Sequence, residues 1–225
     1  MPEMVTEIPH AILIFVIAFG GLQLSNLLLD KGAPFVVSRK AGGHIFGGIA
    51  YVLMPFLFRE PYWPIILSLG FTLLLGISHF VRPRDFRGVG GSSRPEGLAE
   101  VLYPASGTVC LILGWLCLGN PWLGVIPCLY LAWGDSLTGL TRYLHHRGRH
   151  QDFRKYNCGT VAMLISCLAI SLLFYPYWIA ALGGLGATLA EKLCGESALI
   201  KEDDNGVIPL VTLVIMAPLW ILYAK

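Results

Sequence analysis

The chain has 225 residues, 55% of them hydrophobic and 13% charged, with a mean hydropathy of +0.66 and a formal net charge of +2. A soluble domain carries about 25% charged residues, and half that share cannot cover a water-exposed surface, so a soluble globular protein is excluded. The small net charge speaks against a nucleic-acid partner.

A membrane span takes about 20 apolar residues, and such stretches recur along the chain. In order they run over about 9–29, 44–58, 62–81, 97–118, 121–141, 157–174, 176–193 and 207–223. The second is short and the fourth begins with polar residues, so the expected count is about eight spans, with seven as the alternative. The loops leave no room for a separate soluble domain. The expected fold is all-α: one polytopic transmembrane helical bundle over residues 1–225. The start carries Glu3 and Glu7 where a signal peptide would carry Lys or Arg, and no cleavage site precedes Asp30, so the first span is expected to stay. Cys110, Cys117, Cys128, Cys158, Cys167 and Cys194 form no CxxC pair and mostly fall inside spans, which reads as small apolar packing.

Charge sorts the loops. Fourteen of the 16 Lys and Arg residues fall in the first, third, fifth and seventh connections, and only Arg59 and Lys225 fall on the other side. By the positive-inside rule this places both termini outside and the four basic loops in the cytoplasm. The implied location is an integral membrane protein: the plasma membrane of a prokaryote, or otherwise an endoplasmic reticulum or plastid membrane. Most acids follow the same face. The 26 glycines include Gly43 and Gly47 in a GxxxG, which reads as close helix packing. No internal repeat is visible, and that disfavours a transporter built from duplicated halves.

Acids inside apolar stretches carry the most information, because burying a carboxylate in a membrane costs about 2.5–3.5 kcal/mol at a helix centre. Asp135 stands late in the fifth stretch, among Gly134, Thr138 and Gly139. A structural account pairs it with Arg142, seven residues on and on the same helical face. The functional account makes it a catalytic or metal-binding acid. Glu100 at the entry to the fourth span and Glu191 at the exit of the seventh lie at the same expected depth. Carboxylates with open positions suit Mg²⁺, which keeps waters and shares substrate phosphates. Asp203, Asp204 and Asn205 open the last span, where Asn205 can serve as an N-cap with Pro209 in the first turn. Arg39 and Lys40 precede His44 and read either as a positive-inside anchor or as a phosphate clamp. The fifth connection, with His145, His146, Arg147, Arg149, His150, Arg154 and Lys155, is the most basic. It suits either anionic headgroups or a nucleotide triphosphate.

The order of these blocks resembles the CTP-dependent lipid-alcohol kinases, the phytol, dolichol and polyprenol kinase family. The blocks are Ser38-Arg39-Lys40 with His44 and Gly48, Ala99-Glu100 through Tyr103, Gly134-Asp135-Ser136 through Thr138, Lys155 with Gly159-Thr160, Ala187-Thr188 through Glu191, and Asp204-Asn205 with Pro209-Leu210. The resemblance implies Mg²⁺ on Asp135, Glu191 and Asp204. It also implies phosphate or nucleotide contacts from Arg39, Lys40, Lys155, Gly159, Thr160 and Asn205, with Asp135, Glu100 and Glu191 as the acids near the reaction. The implied activity is transfer of the γ-phosphate of CTP to a lipid alcohol, an isoprenoid alcohol such as phytol, dolichol or another polyprenol being favoured. Three departures stand out: three residues rather than two separate Lys40 from His44, Cys158 replaces a Glu before Gly159, and Gly206 replaces a Leu after Asn205. The alternatives are a CDP-lipid-forming cytidylyltransferase, which shares a similar Gly-Asp and Lys…Gly arrangement, and a non-enzymatic membrane transporter.

Overall fold

The structure, a computed structural model, describes residues 5–82, 85–90, 98–145, 157–194 and 204–225. Among these, eight helices account for the regular structure: α1 (Ile8–Asp30), α2 (35–57), α3 (Tyr62–Val81), α4 (Ala99–Cys117), α5 (Pro121–His145), α6 (Asn157–Ser171), α7 (Tyr177–Leu193) and α8 (Asp204–Tyr223). The protein is an all-α membrane bundle. By length and apolarity alone, α1, α3, α4, α5 and α8 are sufficient to cross a membrane. The other three helices are shorter in their apolar part: α6 has 15 residues, α7 has 17, and α2 is apolar only over Ile45–Leu57.

Helix α5 is the hub. Leu123, Val125, Ile126, Leu129, Tyr130 and Ala132 are completely buried, and α5 touches α2, α4, α6, α7 and α8. Its burial explains why it reads as apolar all round, whereas α1, α3 and α8 keep a lipid-facing side of exposed Leu, Ile, Val and Phe. Tyr130 Oη, deep in this core, donates to the Ala180 carbonyl at 2.7 Å and so ties α5 to α7. Close approach depends on small residues. A Cβ on Gly114 would meet the backbone of Leu123 and Gly124, at 2.6 Å from the Leu123 carbonyl carbon, so α4 and α5 cross in direct backbone contact.

Two features differ from the sequence reading. Residues 35–43, expected as loop, are helical, and Ser38–His44 forms a π-helical segment that carries Arg39 and Lys40 into the bundle. Gly42 makes this fit, because any side chain there would collide with Ser25 and the Gly21 carbonyl of α1. Helix α5 also runs past residue 141 to His145, and Arg142 is a buried helix residue rather than a loop residue. Two further π segments follow, Leu111–Cys117 in α4 and Tyr130–Gly134 in α5, the latter immediately before Asp135. Such segments widen the helix by shifting the bond to i→i+5, and they occur often at functional sites.

Candidate active site

Three carboxylates converge at the charged end of the bundle. Ligand oxygens of Asp135 (α5), Glu191 (last turn of α7) and Asp204 (first turn of α8) all lie within 4.8 Å of one another. Asp135 and Glu191 are buried, Glu191 completely. Like charges about 5 Å apart repel by roughly 3 kcal/mol per pair at an effective dielectric near 20, so the group needs cations. Two are built in. Lys40 from the π segment of α2 makes an ion pair with Asp135 Oδ2, and Arg142 Nη2 donates to Glu191 Oε1 at 2.8 Å. His44 Nε2 stands 3.7 Å from Asp135 Oδ2, while Arg39 and Asp204 are close enough to act electrostatically on the Lys40 ammonium.

The pairing corrects one expectation. Arg142 does share a helical face with Asp135, but its guanidinium reaches across to Glu191 on α7 and leaves Asp135 to Lys40. Gly159 on α6 makes that reach feasible, since a Cβ there would run into the Arg142 guanidinium. The position expected to cradle phosphate therefore packs against the arginine that holds Glu191. Thr138 Oγ1, one turn beyond Asp135, donates to the Gly134 carbonyl at 2.9 Å and lies 3.2 Å from the Gly159 carbonyl.

Glu100 does not join the three acids. It sits in the first turn of α4 and turns toward α3, where Glu100 Oε1 and His79 Nδ1 lie 2.6 Å apart. Its helix packs against α5 and α8 as well as α3, but the Glu100 side chain lies on the side of α4 that meets α3. Asn205 is not the cap of α8 either. The helix starts one residue earlier, at Asp204, and the Asn205 amide donates to the Ala99 carbonyl at 3.0 Å, locking α8 to the start of α4. Thr160 is in the first turn of α6, with its Oγ1 buried and without a hydrogen-bond partner among the described residues. Lys155 and the rest of the basic stretch 146–156 lie outside the described residues, as do Asp203 and the other residues of 195–203.

The donor set fits a hard divalent cation. Three carboxylate oxygens from three helices leave coordination positions for waters and phosphate oxygens, the arrangement favoured by Mg²⁺. Soft ligands are not part of it among the described residues, and the buried Cys167 belongs to the apolar core. His79 was not expected as a partner. The signal available was a histidine in the last turn of an apolar stretch, opposite an acid in the first turn of the next.

No protein-family model matches the chain, and no solved structure does. Over 78 residues the chain is 33% identical to a phytol kinase of Synechocystis sp., a match that covers 34% of this chain and 34% of that protein. The chain thus matches about a third of the length of that curated relative, and the similarity to a lipid-alcohol kinase is partial.

Proposed function

We propose that this chain is a membrane kinase that transfers the γ-phosphate of CTP to a lipid alcohol at the charged end of the bundle. The observation that carries the reading is the carboxylate trio Asp135, Glu191 and Asp204, two of them buried, gathered within 4.8 Å beside Lys40. Phosphoryl transfer asks little covalent chemistry of a protein and much positioning and charge stabilisation. The partial likeness to a phytol kinase supports the same class of reaction, with an isoprenoid alcohol as the favoured acceptor.

In this reading Asp135, Glu191 and Asp204 would hold Mg²⁺, which when bound offsets charge on the transferring phosphoryl group. Lys40 and Arg39 bind phosphate oxygens, and Lys155, Gly159, Thr160 and Asn205 are the further nucleotide contacts that the resemblance implies. Lys40 exchanges its contact with Asp135 for the substrate's phosphates as the nucleotide enters. The acceptor oxygen forms a bond to the γ-phosphorus as the bond from that phosphorus to the bridging oxygen breaks. CDP leaves, and the hydroxyl proton passes to a carboxylate of the site (Asp135, Glu191 or Glu100) or to solvent. Arg142 holds Glu191 in place and touches no reacting atom.

The test is product identity. Purified protein is incubated with Mg²⁺, CTP and a panel of lipid alcohols, and both products are read by mass spectrometry. CDP and a lipid phosphate are expected. Pyrophosphate with a CDP-lipid from a lipid phosphate would replace the kinase with a cytidylyltransferase, and no turnover with any acceptor would overturn the enzyme reading.

A further inference from the structure

A narrow cavity runs along the helix axes between α1, α2, α3 and α4. On α2 it follows one stripe, Gly43, Gly47, Ala50 and Met54, and Ala18 of α1 faces that stripe. Gly43 and Gly47 let Val89 and Tyr103 close in on α2, so these two side chains join the cavity wall. Ile14, Met54 and Leu67 line the opposite end, and the walls between are mostly apolar, with Tyr51 and Ser68 as polar members. From His44 to Met54 is ten residues of helix, about 15 Å at about 1.5 Å per residue. A void of about 70 Å³ drawn out along that length is one hydrocarbon chain wide.

The head of the cavity differs from its walls. Arg39, His44, Glu100 and Tyr103 line it. Three of these side chains hold a buried polar atom with no hydrogen-bond partner among the described residues: Arg39 Nε, His44 Nε2 and Tyr103 Oη. Leaving such atoms unsatisfied is costly, and a fold retains several at one spot when a ligand satisfies them. The His44 and Tyr103 rings pack with centroids 4.8 Å apart, and His44 Nε2 is also 3.7 Å from Asp135 Oδ2. The cavity head and the acidic centre therefore share a wall.

We propose that this cavity is the acceptor site. It takes the hydroxyl-bearing end of a single-chain aliphatic alcohol, with the oxygen among His44, Tyr103 and Arg39 and the chain running toward Met54. The proposal rests on the kinase reading for the fate of that hydroxyl, but the binding itself needs no nucleotide. A void of this size suits one hydrocarbon chain, so a two-chain alcohol of the diacylglycerol type is expected to bind less well. Glu100, misplaced for the metal group, then has a position at the cavity head beside His79.

Photolabelling of the whole protein in detergent tests this without turnover. The probe is a straight-chain primary alcohol bearing a diazirine about ten bonds from the hydroxyl, a reach of about 12–15 Å at bond lengths near 1.5 Å. Peptide mapping should place the label on Met54, Leu67 or Ile14. Phytol should compete, and excess diacylglycerol or phosphatidylcholine should not. Ala50→Leu, which narrows the void, should reduce labelling at least fivefold, while Leu69→Ala on the exposed side of α3 should leave it unchanged. Label found only on exposed lipid-facing residues such as Phe56, Leu69 or Leu73, or erased equally by two-chain lipids, would overturn the assignment. Should Ala50→Leu fail to fold, the wild-type label map decides alone. Cavity labelling without phosphoryl transfer would sink the kinase reading and leave the site standing; transfer with labelling elsewhere would do the reverse.

Discussion

Asp135 lies under two basic side chains, Lys40 in direct contact and His44 at 3.7 Å, and is not joined to Arg142. That separates two variants which the sequence alone would have treated as one pair. Asp135→Asn keeps the shape and removes a ligand charge, so the charge developing in phosphoryl transfer loses several kcal/mol of stabilisation. At about 1.36 kcal/mol per tenfold in rate, turnover in the CTP-dependent assay should fall at least a hundredfold while the protein stays folded. Arg142→Gln acts differently, because it removes one partner of a buried ion pair, a loss of about 3–5 kcal/mol. Its mark should be a lowered Tm in detergent, largely restored by adding Glu191→Gln, since the double variant no longer buries an uncompensated carboxylate. If Arg142→Gln melts like the wild type, the pair is not structural. The acids themselves were legible in the sequence, because a carboxylate inside an apolar stretch is too costly to be incidental. Their partners were not: Glu191 is 49 residues from Arg142, and only the approach of α7 to α5, with Gly159 clearing the way, decides which acid the guanidinium meets.

At the level of elements, hydropathy located all eight helices, and it placed α3 over the same residues, 62–81. It failed at residues 35–43, where Arg39, Lys40 and two adjacent glycines read as a connection. Tertiary contact overrides that local signal: Gly42 and Gly43 allow the π segment to lie against Ser25 and Val89, and the helix extends through them. The extra residue between Lys40 and His44, a departure from the resembling family, falls inside this wider π turn, where both side chains still reach Asp135. Glycines at crossings and glycines on open faces should respond oppositely to the same change. Gly114→Ala pushes a methyl group into the backbone of α5, which cannot move aside as a side chain can, so a loss of about 1–3 kcal/mol or more is expected. Gly70 on α3 has no atom within 4 Å of an added Cβ, and Gly70→Ala should gain up to about 1 kcal/mol from helix propensity. Melting temperatures measured in one detergent check both signs. A tolerated Gly114→Ala would mean that α4 and α5 are not in backbone contact.

Across the whole molecule the two ends of the bundle are chemically opposite. One end holds Arg87 paired with Asp30, Lys40 with Asp135, and Arg142 with Glu191. The other is held by aromatic contacts, Phe56 on Trp122, Phe174 on Trp220 and Tyr175 on Tyr223, with the Arg59 amide donating to Glu7 Oε1 at 2.9 Å as a rare polar tie. This polarity was visible in the sequence as the sorting of basic residues among loops, because alternating helices return every second connection to the same side. It puts the site at one end of the bundle, the end that the positive-inside rule predicts to be cytoplasmic. The proposed CTP-dependent kinase would need that orientation, since its donor is a cytosolic nucleotide. Cysteine labelling with a membrane-impermeant maleimide on intact cells tests the orientation in a background where Cys117 and Cys158 are replaced by Ser, the remaining cysteines being buried. Glu60→Cys, exposed in the short connection between α2 and α3, should react from outside. Lys31→Cys, exposed just past the end of α1, should react only after permeabilisation. The opposite pattern would place the carboxylate trio on the outer surface, away from cytosolic CTP, and the kinase proposal would fall with it.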